Sequence, residues 1–245
     1  MNEKPIIQLT PTLIHVDGKA LGRHRLVNWP KVARLIRSDS TPIATVDHST
    51  NLSTCLDQGN LGSCTGNATA HCASSQPFSR KCTETEAVTI YSRATADDQF
   101  PGTYPPTDTG STGYFAMQAA CELGYFQTFA MCVGLTAVLQ ALQSRAGITG
   151  MDWYEGYDTP DANGLVAPTG QIRGGHEICL IAVDVVLGSN GNIDPDKSLV
   201  WFQNSWGKGY GVRKGNRDGC FCMTLSDYEL SLAAGGDATF PALGG

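Results

Sequence analysis

A chain of 245 residues and 26.1 kDa, 41% hydrophobic and 16% charged, is sized for one large domain or two small ones and is too apolar for intrinsic disorder. Its net charge of −6 is uneven: residues 1–40 hold seven basic and three acidic side chains, a net of +4, which leaves −10 on residues 41–245 and argues against nucleic acid as a partner. No apolar run approaches the ~18–20 residues that span a bilayer, so no membrane partner is expected, and the opening MNEKPIIQLTPTLIHVDGK lacks the apolar core of a secretory signal, which predicts a cytoplasmic location.

In chain order, residues 1–50 read as a basic N-terminal extension interrupted by Pro5, Pro11, Pro30 and Pro42. Such a stretch suits a solvated face or a docking arm. Val32, Leu35 and Ile36, interleaved with Lys31, Arg34 and Arg37, predict one short amphipathic helix after Pro30. A turn-rich stretch runs from Asn51 to Ser63, and the small residues of 64–72 predict a helix packed tightly inside the protein. Thr83 and Glu86 make a capping-box pattern ahead of an apolar stripe of Ala87, Ile90, Tyr91 and Ala94. Residues 97–113 form a long loop, of the kind that is functional or well packed. Helices are predicted over 114–123, stopping at Gly124, and over 134–144. Beyond about residue 147, the short apolar segments 148–154, 177–185, 198–203 and 220–225 read as strands. Ser226 and Glu229 repeat the capping-box pattern and open a short C-terminal helix that ends at Gly235 and Gly236. A helical first half and a β second half predict an α+β protein whose halves face each other across a cleft.

Nine cysteines in a chain without an export signal predict reduced thiols, with one of them special. Cys64 is the leading nucleophile. It follows a Gly-Ser turn and opens a helix, where the positive end of the macrodipole and free backbone N–H groups lower a thiol's pKa. Its base must come from five histidines. His71 lies two helical turns beyond Cys64, ~10.5 Å along the axis, too far to meet the sulfur. His15, His24 and His48 have no supporting context. His176 follows Gly174 and Gly175 and opens an apolar strand, so a partner chain or ligand can approach its ring closely. The amide oxygen of Asn204 can accept an imidazole Nδ1–H and fix its tautomer, and Trp206 can shield that bond from water. Gln58 can aim its amide at a developing oxyanion beside the Cys64 N–H. Cys220 and Cys222 share one strand face. No paired Cys-x-x-Cys units or His/Cys clusters point to zinc, so no metal and no cofactor is expected. Asn51 and Asn67 stand in glycosylation sequons, and Asn67 falls on a helix expected to be buried.

Together these motifs resemble the papain-like cysteine peptidases. Gln58-Gly-Asn-Leu-Gly-Ser-Cys64 is similar to that family's nucleophile motif, Gly174-Gly-His176 to its histidine motif, and Asn204-Ser-Trp-Gly207 with Gly209-Tyr-Gly211 to its asparagine motif, in the family's chain order. The text around Cys64 and the segment Trp153-Tyr-Glu-Gly156 resemble the compact bacterial and bacteriophage members. The resemblance implies a two-lobed fold, with residues 51–245 as the catalytic domain: a helical lobe over about 51–146, and an antiparallel, barrel-like β lobe over about 147–245. It implies Cys64 as nucleophile, His176 as acid and base, Asn204 as its orienter, and Gln58 with the Cys64 N–H as oxyanion hole. Ser111, Thr112 and Gly113 match the stretch that pairs with substrate backbone, and Gly175 and Glu177 border the substrate beside His176. Glu177 borders the pocket for the second residue before the scissile bond and implies a basic or polar side chain there.

Three departures qualify the match. Thr65 stands where many members have tryptophan, and Leu61 where they have a disulfide cysteine. Residues 1–50 are too short for the usual inhibitory prosegment, which puts zymogen control in doubt. The expected partner is a peptide or protein substrate. The alternatives are an amidase cutting cell-wall peptide crosslinks with the same triad, and a phage or virion component that keeps the fold for binding. A virion-associated location is accordingly the alternative to the cytoplasm of a bacterium or an infected host. Oligomeric state is open.

Overall fold

The computed structural model describes residues 14–16, 19–23, 34–50 and 55–242. Two short strands come first, β1 (Ile14–Val16) and β2 (Lys19–Leu21), paired antiparallel. They are followed by β3 (Leu35–Ile36) and β4 (Val46–Asp47). Three helices form the next block: α1 (Cys64–Ala73), α2 (Glu84–Asp97) and α3 (Gly113–Glu122). Every residue of α1 is buried, as its small side chains predict. The Thr83–Glu86 capping box opens α2, and the Thr112 hydroxyl caps α3 by accepting from the Phe115 N–H. Then come β5 (Phe129–Cys132), α4 (Gly134–Leu142), β6 (Gly147–Tyr154), β7 (Ile172–Asp184), β8 (Leu199–Gln203), β9 (Val212–Lys214), β10 (Arg217–Thr224), α5 (Leu225–Ala233) and β11 (Asp237–Pro241). The α+β class is as expected.

One sheet runs β3-β5-β11-β6-β7-β8-β10-β9, with β4 on β7; its pairs are antiparallel except β3 with β5. Alternation along β7 divides the core. Ile178 and Leu180 join Trp153, Phe202, Phe221 and the α4 residues on one face. Cys179 and Ile181 join α1, α2 and α3 on the other. Thus β5 and α4, although they precede residue 147, pack with the sheet.

Two local expectations fail. Leu35 and Ile36 form a strand on β5 instead of a helix, because pairing with Met131 and Cys132 outweighs a short amphipathic stripe; residues 31–33 lie outside the described residues. At the C-terminal helix the cap is Thr224, whose hydroxyl accepts from the Asp227 N–H, so the helix starts two residues earlier than the Ser226 pattern placed it. The long loop 97–113 is packed: Ser111 donates to Asp98 at 2.7 Å, and the Tyr91 hydroxyl donates to Asp108. All nine cysteines are free thiols. Asn67 is fully buried and donates to Glu84 at 2.6 Å, which removes its sequon from the surface. No helix among the described residues is long and apolar enough to cross a membrane, and no group of metal-binding residues occurs among them.

Candidate active site

Cys64 opens α1 and is fully buried. The backbones of Glu177 and Gly22 lie beside its sulfur and oppose the effect of its burial. Glu177 follows His176 on β7, so the first contact ties the thiol to the strand that carries the imidazole. The His176 Nε2 lies 2.7 Å from Asn204 Oδ1. The sequence reading gave this bond to Nδ1; the structure gives it to the other nitrogen. Nδ1 is buried and has no hydrogen-bond partner among the described residues. The ring sits between Trp153, 4.8 Å away and edge-on, and Trp206, 4.9 Å away. Both indoles pack against the imidazole that makes the His176–Asn204 bond.

Segment 56–58 pairs with 205–207 through the Gln58 N–H to Ser205 O at 2.9 Å and the Gly207 N–H to Leu56 O at 3.1 Å. Ser205 Oγ then donates to Gln58 Oε1 at 2.6 Å, which fixes the amide and leaves Nε2 as the donor end. The other histidines are committed elsewhere. His48 Nε2 meets Leu142 O, and His71 Nε2 accepts from the Leu56 N–H. His24 and the His15 side chain lie outside the described residues.

The cleft is filled by the chain itself. The Ala20 carbonyl accepts from Gln58 Nε2 at 3.0 Å. The Gly22 carbonyl accepts from the Ser111 N–H at 2.8 Å, and the Arg23 N–H donates to Gly175 O at 3.0 Å. Lys19 pairs with Asp57 at the rim. Gly22 runs so close to Gly62 that a Cβ there would collide with the Gly62 carbonyl. Residues 19–23 thus bond three predicted site residues: Gln58, Ser111 and Gly175. Of the other predicted substrate contacts, Thr112 is the α3 cap, and Gly113 lies against the Glu177 carboxylate.

Arg23 completes this arrangement, and no local sequence signal marked it. Its guanidinium is fully buried, with Nη2 2.6 Å from Asp237 Oδ2 and 3.2 Å from Gly235 O, and Nε 3.7 Å from Glu177 Oε2. Burial alone would pull its pKa down; Asp237 and Glu177 outweigh that and hold it above its ordinary value. Burial, and then Asp237, push the Glu177 carboxyl far up, with Arg23 opposing. Burial also favours the neutral forms of Cys64 and His176. Burial pushes the Cys64 thiol up to about 12 and His176 down to about 4, so near neutral pH this conformation holds thiol and imidazole instead of thiolate and imidazolium.

No family model matches the sequence, and no curated protein matches it. Solved structures do resemble it. Xylellain, a cysteine protease from Xylella fastidiosa, has a TM-score of 0.69 at 14% identity, covering 95% of this chain and 100% of that one. Digestive procathepsin L 3 of Tenebrio molitor larval midgut has a TM-score of 0.58 at 15% identity, over 91% of this chain and 76% of that one. The bromelain protease from Ananas comosus, in complex with an inhibitor, has a TM-score of 0.53 at 14% identity, over 82% and 99%. The fold of this chain is papain-like.

Proposed function

We propose that this papain-like fold works as a cysteine peptidase on a peptide or protein substrate, with residues 51–245 as its catalytic domain and residues 1–50 as an extension that occupies the cleft. The observation that carries the reading is the 2.7 Å His176 Nε2–Asn204 Oδ1 bond, which holds the ring and leaves Nδ1 free to exchange a proton with Cys64.

Once the cleft is open, Nδ1 takes the thiol proton and the sulfur adds to the scissile carbonyl carbon. The π electrons move to oxygen, stabilised by the Gln58 Nε2–H and the Cys64 N–H. The tetrahedral species collapses, the C–N bond breaks, and the imidazolium proton goes to the departing amine, which leaves a thioester on Cys64. His176 then takes a proton from water as its oxygen attacks the thioester. The C–S bond breaks, a carboxylic acid leaves, and the proton returns to sulfur. Until residues 19–23 leave, the Gly22 backbone and the Ala20 carbonyl occupy the sulfur and the Gln58 donor, so the closed form is latent.

The test is peptide hydrolysis by the full chain carrying Gly22→Ala, which cannot dock beside Gly62, with Cys64→Ala added as the control. Cleavage that depends on Cys64 is expected. Cleavage of cell-wall peptides alone would favour the amidase reading. A folded chain with an alkylatable Cys64 that cuts neither would leave a binding role.

A further inference from the structure

We propose that Asp108 is a positioning residue of this site: it ties the loop ahead of Cys64 to the stretch ahead of Ser111, and so fixes the width of the slot through which a peptide backbone reaches the sulfur. The proposal deepens the peptidase reading and rests on it.

Asp108 sits in the packed loop between α2 and α3 and is half-buried. Its Oδ2 accepts from the Gly62 N–H at 2.8 Å, two residues before Cys64. Its Oδ1 accepts from the Tyr91 hydroxyl. The Tyr91 oxygen in turn accepts from the Gly110 N–H at 2.8 Å, one residue before Ser111. One side-chain pair therefore holds a backbone N–H on each bank of the cleft. The brace is itself anchored. Tyr91 is wholly buried on α2, and α2 meets α1 so closely that a Cβ on Gly66 would come within 2.9 Å of the Tyr91 Cβ. Burial, and then the bond to Asp108, push the Tyr91 hydroxyl far up, so it stays a donor near neutral pH. The Ser111 hydroxyl donates to Asp98 at 2.7 Å, which fixes the same bank from the other end of the loop. All nine cysteines are free, so no disulfide shares the task.

The segment that fills the cleft shows what the slot admits. Gly22 lies between the two banks. Its carbonyl accepts from the Ser111 N–H at 2.8 Å, while a Cβ on it would stand 2.0 Å from the Gly62 carbonyl oxygen. The slot thus takes a backbone in contact with both walls and has no slack. A carboxylate offers two oxygens and no donor, so it can hold the Gly62 N–H and the Tyr91 hydroxyl at once, by charge-assisted bonds. Without it both donors lose their shared partner and the banks can part. A misplacement of about 1 Å in a held substrate can cost ~10²-fold in rate. That loss falls on peptides, because a small alkylating reagent reaches the sulfur without being aligned by either bank.

The test compares two reagents on the full chain carrying Arg23→Ala, which weakens the hold of residues 19–23. A peptidyl chloromethyl ketone needs the slot to align it, and chloroacetamide does not. Each rate at Cys64, read by peptide mass spectrometry, is divided by the rate of the same reagent with free cysteine. Both reagents react only when the cleft is open, so the ratio of the two normalised rates cancels the open population. In Arg23→Ala the peptidyl reagent should be favoured by about 10²-fold, and adding Asp108→Ala should lower that preference at least about tenfold. Tyr91→Phe should do the same, and both together should be no worse than Asp108→Ala, since the two act as one brace. A merely structural role would slow both reagents together and leave the ratio where it was. No preference for the peptidyl reagent in Arg23→Ala, or a preference that Asp108→Ala leaves within about threefold, overturns the proposal. Should Asp108→Ala fail to fold by circular dichroism, Tyr91→Phe decides: a loss of about tenfold supports the brace, and a ratio within about threefold refutes it. Hydrolysis is read separately. A preference that depends on Asp108 in a chain that cuts no peptide removes the peptidase reading alone, whereas hydrolysis that Asp108→Ala leaves unchanged removes this proposal alone.

Discussion

Replacing Arg23 by alanine directly tests the strap that residues 19–23 lay across the cleft. In the closed form its side chain is wholly buried, 2.6 Å from Asp237 and facing Glu177. Removing one partner of a buried ion pair typically costs ~3–5 kcal/mol, because the opposite charge stays buried and uncompensated. Here the lower end applies, since Glu177 is already pushed toward its neutral form and only part of the negative charge is left alone. The cost falls on the closed conformation and is relieved when residues 19–23 leave and water enters. The open population therefore rises by about 3 kcal/mol, or ~10²-fold at ~1.36 kcal/mol per decade. Alkylation by iodoacetamide at pH 7, followed by peptide mass spectrometry, reads that population at Cys64, with the half-buried Cys55 as an internal reference. Cys64 should label roughly 10²-fold faster in Arg23→Ala than in the parent chain, with Cys55 unchanged. Lys19→Ala, which breaks only the part-exposed pair at the rim, should stay within about threefold. An Arg23→Ala rate within threefold of the parent would refute the reasoning, since either the strap does not gate the thiol or Arg23 does not hold the strap.

Other outcomes follow from the same geometry. Gly22→Ala should raise Cys64 labelling, because its Cβ collides with the Gly62 carbonyl; a parent-like rate would mean that the strand shifts to accommodate it. In that open background Gln58→Ala should lower kcat by ~10²–10³ with a smaller change in KM, and an unchanged kcat would remove Gln58 from the oxyanion hole. The pH dependence of stability has a fixed sign. His176 is held down from 6.5 to about 4 by burial, so between these values the unfolded chain binds a proton that the folded chain refuses. Its contribution is complete above pH 6.5 and falls by about 3 kcal/mol as pH drops to 4, at ~1.36 kcal/mol per pH unit. Urea melts at pH 4.5 and pH 7 should therefore differ less in His176→Gln than in the parent, and equal differences would contradict the argument. Arg217 is fully buried and donates to Gln203 at 2.7 Å and to Ser75 at 2.6 Å, joining β8 and the end of α1 to β10. Arg217→Ala should cost about 3 kcal/mol or more in urea unfolding, from two charged hydrogen bonds and the packing of its stem; a loss below about 1 kcal/mol would show that the link carries little.

What was legible in the sequence was local. Thr83 and Glu86 announce α2 because a capping box is satisfied within four residues, and the helix at Cys64 is announced by a turn followed by small side chains. Glycines before His176 and the Asn204-Ser-Trp segment mark the imidazole and its holder, because each motif is contiguous. The strand at Leu35–Ile36 was misread because its partner, β5, lies about a hundred residues on and was itself unrecognised. The choice of Nε2 over Nδ1 is a matter of ring orientation, which the packing of Trp153 and Trp206 decides.

By itself, then, the sequence determined the α+β class and the start of the capped helix α2, and it singled out the candidate site residues, since those readings depend on neighbours in the chain. Tertiary structure alone decided what fills the cleft. Arg23 and Asp237 stand 214 residues apart, and Gly150 joins them only through the register of β6 with β7 and β11. A buried charge is tolerated only where a partner meets it. That partner is fixed by strand pairing, so a basic residue that read as part of a solvated arm has its side chain wholly buried.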